Sequence, residues 1–150
     1  MTLVSDQLTV FVPTRLVNPL NERVHWSVRS KRAKAQRDAV AMAVWAALRD
    51  PTKSIHVEHI RVGLLQWRIS AKPTTPKRIT LVGHVARKFD SHDNLRAALK
   101  SVVDGLVDAH LIGDDRDSEG HTFLYDQIVA KPYGVTITIC LPPPPEACGR

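Results

Sequence analysis

The spacing of apolar residues predicts a first strand and a long helix in the N-terminal part of this chain. Residues 8–12 alternate and stop at Pro13, which predicts the strand, and residues 17–22 follow as a loop rich in Asn and Pro. Residues 30–48 are rich in Ala, Lys, Arg and Gln and place their apolar positions on one helical side. Asp50-Pro51 ends this predicted helix, whose first half is basic and whose second half is apolar.

The rest of the chain predicts a second helix among several strands. Residues 55–69 and 79–85 are rich in β-branched and apolar residues and predict a hairpin. Residues 93–109 predict the second helix, residues 113–120 an acidic loop, and residues 123–130 and 135–141 two further strands. The order β, α, β, β, α, β, β predicts an α+β fold with a mixed β-sheet and two main helices. We expect a single domain at residues 1–141 and a proline-rich tail at residues 142–150.

The composition is that of a globular protein. The 150 residues are 43% hydrophobic, and a chain of this length buries a core without disulfides. Cys140 and Cys148 are too few for a disulfide framework or a cysteine zinc site. No apolar stretch reaches the roughly 20 residues of a membrane span, and the N-terminus lacks a signal-sequence pattern. We therefore expect a cytoplasmic protein that contacts no membrane.

Charge is unevenly distributed along the chain, whose net charge is +6. Most of the Lys and Arg residues lie between Arg15 and Lys88, whereas acidic residues concentrate at positions 90–119. A basic surface attracts polyanions such as nucleic acid, and clustered carboxylates are neutralised by cations. The alternative for either cluster is an ordinary solvated face.

The predicted second helix has an apolar side and a charged side. At about 100° per residue, four apolar residues share one side, namely Leu95, Leu99, Val102 and Leu106. Asp93, Lys100 and Asp104 lie on the opposite side. An i,i+4 ion pair between Lys100 and Asp104 would explain part of this pattern without any catalytic function.

Acidic residues stand at both ends of this helix. Asp90 and Asp93 lie at its start, and Asp114 and Asp115 follow its end, where Gly113 allows the chain to turn back. Three or four converging carboxylates supply the oxygen ligands that Mg²⁺ prefers, and they would hold one or two ions at a substrate phosphate. The structural alternatives are that Asp90 caps the helix and that Asp114 and Asp115 are turn residues.

The order of these motifs resembles the RusA-type Holliday junction resolvases of bacteria and their prophages. The resemblance lies in Arg87-Lys88-Phe89-Asp90-Ser91-His92-Asp93-Asn94-Leu95, then Lys100, Asp104-Gly105-Leu106 and Asp114-Asp115. In that family a basic residue precedes an Asp-x-Asp-Asn-Leu motif, and a lysine, an Asp-Gly-Leu triplet and paired aspartates follow. The segment Asn18-Pro19-Leu20-Asn21, with His25-Trp26 before a basic helix, is similar to the family's first loop and helix.

The sequence departs from the family pattern at two positions. Ser91 stands where the family has its first aspartate, and Asp90 is the nearest carboxylate. The lysine usually lies four residues after the second aspartate, but Lys100 lies seven after Asp93. Three extra residues nearly complete a helical turn, so Lys100 keeps its face and moves about 4.5 Å along the axis.

The resemblance implies a metal-dependent endodeoxyribonuclease that resolves four-way DNA junctions by paired symmetric nicks during recombination and repair. It implies that Asp93 and Asp115 bind Mg²⁺ or Mn²⁺, with Asp90 and Asp114 as further ligands. Lys100 would stabilise the attacked phosphate or orient water. Paired nicks imply a homodimer with one acidic site per subunit, in a bacterial, phage or prophage protein.

The basic part of the predicted first helix and the residues before the acidic motif are the expected DNA contacts. Contacts to phosphates position DNA without reading its sequence. The predicted DNA-binding residues are Arg29, Lys31, Arg32, Lys34, Arg37, Arg87 and Lys88. Phe89 is either a wedge for an unpaired base or a core residue. We assign Trp26, Trp45 and Trp67 to packing.

Two other functions fit parts of the sequence. A DNA-binding protein of the same fold with an inactive site is one, because Ser91 departs from the family motif. A calcium module is the other, since residues 115–126 match the spacing of an EF-hand loop, with Asp126 at position twelve in place of the usual Glu. A strand, however, is predicted where the second EF-hand helix would begin. The sequence contains no zinc spacing, glycine-rich phosphate loop or Ser/His nucleophile signature.

Overall fold

The computed structural model describes residues 7–49, 78–113 and 120–140, which contain two helices and four strands. The elements are β1 (Gln7–Val12), α1 (Trp26–Arg49), β2 (Arg78–Val85), α2 (His92–Asp108), β3 (Thr122–Val129) and β4 (Gly134–Cys140). The helices and strands predicted within these ranges are confirmed. The predicted strand at residues 55–69, most of the acidic loop and the proline-rich tail lie outside the described residues.

The four strands form one mixed sheet in the order β1-β4-β2-β3. β4 is antiparallel to both of its neighbours, and β2 and β3 are parallel and joined through α2. A parallel pair needs such a crossover, because its strands run in the same direction. The predicted α+β domain with a mixed sheet and two helices is therefore confirmed.

The predicted hairpin between residues 55–69 and 79–85 is wrong in its pairing. β2 pairs with β3 over its full length and with β4 from Arg78 to His84. Both of its edges are therefore occupied by strands that lie later in the chain. Local β-propensity predicted the strand correctly but contains no information about its neighbours.

One face of the sheet and both helices share a single hydrophobic core. β1 and β2 alternate between exposed or half-buried and buried residues, as the sequence pattern predicted. The predicted apolar side of α2 is confirmed, since four of its residues are at most 2% exposed: Leu95, Leu99, Val102 and Leu106. Val40 and Val44 of α1 are fully buried in the same cluster.

α1 begins four residues before the predicted start. His25 does what an N-cap residue does, because its Nδ1 accepts a hydrogen bond from the Ser27 N–H at 3.3 Å. The His25 carbonyl also accepts the N–H groups of Val28 and Arg29. Histidine is not among the usual N-cap residues, so the sequence pattern gave no signal for this first turn.

α1 and α2 cross at Gly105, the central residue of the Asp-Gly-Leu triplet. A Cβ atom on Gly105 would lie 2.7 Å from the Val40 Cβ and 2.9 Å from the Arg37 carbonyl oxygen. The Arg37 guanidinium donates two hydrogen bonds of 2.8 Å to the Asp108 carboxylate. Close contact and a bidentate ion pair therefore fix α2, whose start carries the acidic motif, against α1.

The tryptophans do not all pack as predicted. Trp45 does, since its half-buried ring contacts the core and its Nε1–H donates to the Ala109 carbonyl at 3.3 Å. Trp26 does not, because 67% of its surface is exposed. Trp67 lies outside the described residues.

Neither helix described here has both the length and the apolar character that crossing a membrane requires.

Candidate functional site

The loops that follow β1 and β2 leave the sheet at the same end. Val12, Val135, Gly83 and Gln127 form one row across the four strands near this end. Leu16, in the loop after β1, lies directly over Gly83, where a Cβ atom would be 2.8 Å from its Cδ1. The two segments that carry the family resemblance, residues 18–21 and 87–95, therefore emerge from the same end of the sheet.

Ser91 caps α2. Its backbone is extended, and its hydroxyl accepts a hydrogen bond from the Asn94 N–H at 3.2 Å. Ser91 thereby satisfies one of the free N–H groups at the helix start. The alternative in which Asp90 caps the helix is therefore wrong, because Ser91 occupies that position.

Asp90 and Asp93 are both exposed at the start of α2. Within residues 7–49, 78–113 and 120–140, neither carboxylate makes a hydrogen bond or an ion pair. Asp93 lies in the first turn, where the helix N-terminus favours negative charge. Both groups are free to accept a cation without breaking an existing contact.

Phe89 is held at its ring and at its backbone. The half-buried ring packs against the hydrophobic core, which confirms the core interpretation of this residue. The side-chain amide of Gln127 accepts a hydrogen bond from the Phe89 N–H at 2.8 Å and donates one to the Phe89 carbonyl at 3.2 Å. The chain is therefore fixed immediately before Asp90, by a residue of β3 that sequence analysis did not single out.

Lys100 lies on the exposed, charged side of α2. Its ammonium group donates to the Asp104 carboxylate at 2.9 Å, so the expected i,i+4 ion pair is present. Lys100 is seven residues from Asp93, which places it about 10 Å further along the helix axis. Its predicted role at a phosphate stays a prediction.

The seven predicted DNA-binding residues divide into two groups. Three of them make ion pairs: Arg32 with Glu22, Lys34 with Asp38, and Arg37 with Asp108. Four are exposed and make no ion pair within the described part of the chain: Arg29, Lys31, Arg87 and Lys88. Arg87 and Lys88 lie immediately before Phe89 in the loop that leads to the acidic motif.

Two of these ion pairs lower the pKa of their carboxyl groups. Hydrogen bonds from Arg37 lower the pKa of Asp108 below its usual value, and the hydrogen bond from Arg32 does the same to the pKa of Glu22. These two carboxylates are therefore ionised partners of structural arginines.

Asp114 and Asp115 lie outside the described residues, so their convergence with Asp93 stays a prediction. The described neighbour Gly113 follows the end of α2, where the Leu111 N–H bonds to the Leu106 carbonyl. At about 1.5 Å per residue, Asp93 and Asp108 are about 22 Å apart along the helix. Among the described residues, no three His, Cys, Asp or Glu side chains are grouped to share a metal ion.

The calcium-loop alternative does not agree with the described part of residues 115–126. Asp126, at position twelve, lies in the middle of β3, and its Oδ1 accepts the Gln127 N–H at 2.7 Å. An EF-hand loop leads into a helix at this position. Here the chain continues as strand to Val129.

Trp26 is a candidate binding residue that sequence analysis assigned to packing. Its ring centroid lies 5.5 Å from that of His25 at the start of the basic helix, three residues before the exposed Arg29. An exposed aromatic ring beside cations is typical of surfaces that bind single-stranded nucleic acid. The signal in the sequence is the dipeptide His25-Trp26 shortly before the basic residues that begin at Arg29.

Comparison with known proteins adds no family to this description: no protein-family model matches the chain, and no curated protein matches it. The resemblance to the RusA-type resolvases therefore rests on the motifs and their order.

Proposed function

We propose that this protein is a metal-dependent endodeoxyribonuclease that resolves four-way DNA junctions by paired nicks, acting as a homodimer. The observation that carries the proposal is a pair of exposed carboxylates, Asp90 and Asp93, shortly after two exposed cations, Arg87 and Lys88. None of the four makes an ion pair within the described part of the chain. A phosphodiester is a polyanion, so a nuclease needs cations to hold it and a centre that stabilises charge at phosphorus. The motif resemblance supplies the reaction and the substrate.

The donor chemistry of this site fits Mg²⁺ or Mn²⁺. Carboxylate oxygens are the ligands that these hard ions prefer, and Asp90 and Asp93 have no competing partner among the described residues. We assign Asp93 and Asp115 as ligands, with Asp90 and Asp114 as further ligands. When bound, the ion supplies charge stabilisation at the phosphate and lowers the pKa of a water nucleophile.

The protein's own residues bind and orient the DNA. Arg29, Lys31, Arg87 and Lys88 hold phosphates on either side of the cleaved bond, and Trp26 offers its exposed ring to an unpaired base. Lys100 stabilises the charge that develops on the attacked phosphate, and its contact with Asp104 keeps the ammonium on the exposed face of α2.

The length of α2 favours a site shared between two subunits. Asp93 lies in the first turn of this helix, and its last residue, Asp108, lies about 22 Å further along the axis; Asp114 comes six residues later in the sequence. Two copies related by a two-fold axis, with their α2 helices antiparallel, bring the start of one helix beside the end of the other. Each of the two sites then takes Asp90 and Asp93 from one subunit and Asp114 and Asp115 from its partner.

Replacement of one carboxylate tests this proposal. We expect Asp93→Asn to abolish cleavage of a labelled four-way junction in Mg²⁺ and to leave junction binding intact or stronger, because the loss of a negative charge reduces repulsion of phosphates. Asp38→Asn is the matched control, since Asp38 is another exposed helical aspartate and forms an ion pair with Lys34. We expect it to cleave like the unmodified protein.

Two results would count against the proposal. Cleavage by Asp93→Asn at the unmodified rate removes Asp93 from the site. Tight junction binding by the unmodified protein without any cleavage in Mg²⁺ or Mn²⁺ favours the inactive DNA-binding protein of the same fold.

A further inference from the structure

Gln127 makes two side-chain hydrogen bonds to the backbone of Phe89, the residue before Asp90. Its Oε1 accepts from the Phe89 N–H at 2.8 Å, and its Nε2 donates to the Phe89 carbonyl at 3.2 Å. We infer that Gln127 is a positioning residue, which holds Asp90 in place as a metal ligand. This inference rests on the proposed function and names a residue outside every motif discussed above.

The two hydrogen bonds give the Phe89 backbone the pairing that an adjacent strand would otherwise provide. β2 ends at Val85, so Phe89 lies beyond the regular pairing of the sheet. An amide side chain presents one donor and one acceptor side by side, as the backbone of an adjacent strand does. Gln127 stands opposite Gly83 in the register of β2 and β3, and from there it ties the loop to the edge of the sheet.

Asp90 is thereby fixed on both sides, while its own carboxylate makes no hydrogen bond or ion pair to any described residue. Before it, Phe89 is held by its packed ring and by both of its backbone polar groups. After it, Ser91 is held as the N-cap of α2. A ligand whose backbone is ordered in advance loses less conformational entropy when the metal ion binds. The same arrangement lets Asp90 act as a metal ligand although Ser91 occupies the position of the family's first aspartate.

In the described part of the chain, the charged groups near Gln127 and Phe89 make no hydrogen bond to the Gln127 side-chain amide. Asp126, the neighbour of Gln127 in β3, turns its Oδ1 to the Gln127 backbone N–H at 2.7 Å. Arg87 and Lys88 are exposed in the loop itself. Among the described residues the Gln127 side-chain amide contacts Phe89, and its effect on metal binding therefore passes through the backbone that leads to Asp90.

The test is the metal affinity of Gln127→Ala, measured by calorimetric titration of the purified protein with Mn²⁺ and by the Mg²⁺ dependence of junction cleavage. Residues that orient metal ligands typically change affinity or activity by about 10 to 100-fold, so we expect the Mn²⁺ dissociation constant and the half-saturating Mg²⁺ concentration to rise at least about 10-fold. Cleavage at saturating Mg²⁺ should fall much less. Gln7→Ala is the matched control, because Gln7 lies on the other edge strand at the opposite end of the sheet.

A second substitution separates positioning from general destabilisation. In Asp90→Asn the ligand is already lost, so we expect Gln127→Ala to cause no further loss of Mn²⁺ affinity in that background. Gln127→Glu retains the acceptor for the Phe89 N–H but loses the donor to the carbonyl, and we expect an intermediate affinity. If Gln127→Ala does not fold, the Mn²⁺ affinity of Gln127→Glu provides the test in its place.

The outcomes distinguish this inference from the proposed function. An unmodified protein that cleaves junctions, together with Gln127 variants of unchanged Mn²⁺ affinity, overturns the positioning role alone. The positioning role is also overturned if the losses of Mn²⁺ affinity caused by Gln127→Ala and by Asp90→Asn add in the double variant. An unmodified protein that neither binds Mn²⁺ nor cleaves overturns the proposed function, and the positioning role with it.

Discussion

Ser91 and Asp90 have different roles at the start of α2. The Ser91 hydroxyl caps the helix, and the Asp90 carboxylate one residue earlier stays without a partner in the described part of the chain. The sequence predicted the exposure of Asp93 because helical periodicity places it opposite the apolar side. It did not predict the contact of Gln127 with Phe89, because the two residues are 38 positions apart and no local pattern connects them.

The Arg37–Asp108 ion pair predicts a loss of stability in acid. Arg37 lowers the pKa of Asp108 below its usual value of about 3.8, so the unfolded state binds a proton more readily than the folded state. The stabilisation is complete above that value and is lost as the pH falls through the lower pKa of the folded state. We expect urea unfolding to show a smaller loss of stability between about pH 5 and about pH 2 in Asp108→Asn than in the unmodified protein.

The control for this experiment is Asp38→Asn, which removes an exposed i,i+4 pair with Lys34. Such pairs contribute little to stability, so the control should retain the acid dependence of the unmodified protein. An Asp108→Asn variant with an unchanged acid dependence would show that this ion pair has no part in it.

At the scale of elements, the sequence predicted helices and strands well and their partners poorly. α2 differs from its predicted limits by one residue at each end, because periodicity defines its two faces over many residues. The start of α1 was missed because His25 is an unusual cap. Strand neighbours depend on contacts between distant segments, which is why β2 received the wrong partner.

The crossing of α1 and α2 predicts the effect of Gly105→Ala. In an unobstructed helix this change stabilises by up to about 1 kcal/mol, because Gly is the more flexible residue. Here the new Cβ would meet the Val40 Cβ at 2.7 Å and the Arg37 carbonyl oxygen at 2.9 Å, so we expect a net loss of about 1 to 3 kcal/mol. Urea unfolding measures it, with Ser101→Ala on the same helix as the control. A more stable Gly105→Ala variant would contradict the close crossing.

The sequence predicted the fold class of the protein but not which chains contribute the residues of the acidic site. The order of periodic segments was enough for an α+β domain, because two helices on one sheet face bury the apolar residues of both. Asp115 lies outside the described residues, and in the proposed shared site it meets Asp93 only when two chains associate, which residue spacing does not encode. The length of α2 is the structural fact that favours the shared site.

Mixed dimers test the shared site. A heterodimer of Asp93→Asn and Asp115→Asn subunits contains one intact site if each site takes Asp93 from one subunit and Asp115 from the other. It contains none if both residues come from the same subunit. We expect each single variant to be inactive and the mixture, refolded or co-expressed, to recover single nicks in a labelled junction. A mixture as inactive as its components would contradict sharing.

The most direct test of the proposed nuclease activity is cleavage of a labelled synthetic four-way junction and a matched duplex by the purified protein in Mg²⁺, in Ca²⁺ and in EDTA. We predict paired, symmetric nicks in the junction in Mg²⁺, none in Ca²⁺ or EDTA, and little or no cleavage of the duplex. A junction that stays intact in Mg²⁺, or nicks that persist in EDTA, would contradict a metal-dependent junction nuclease.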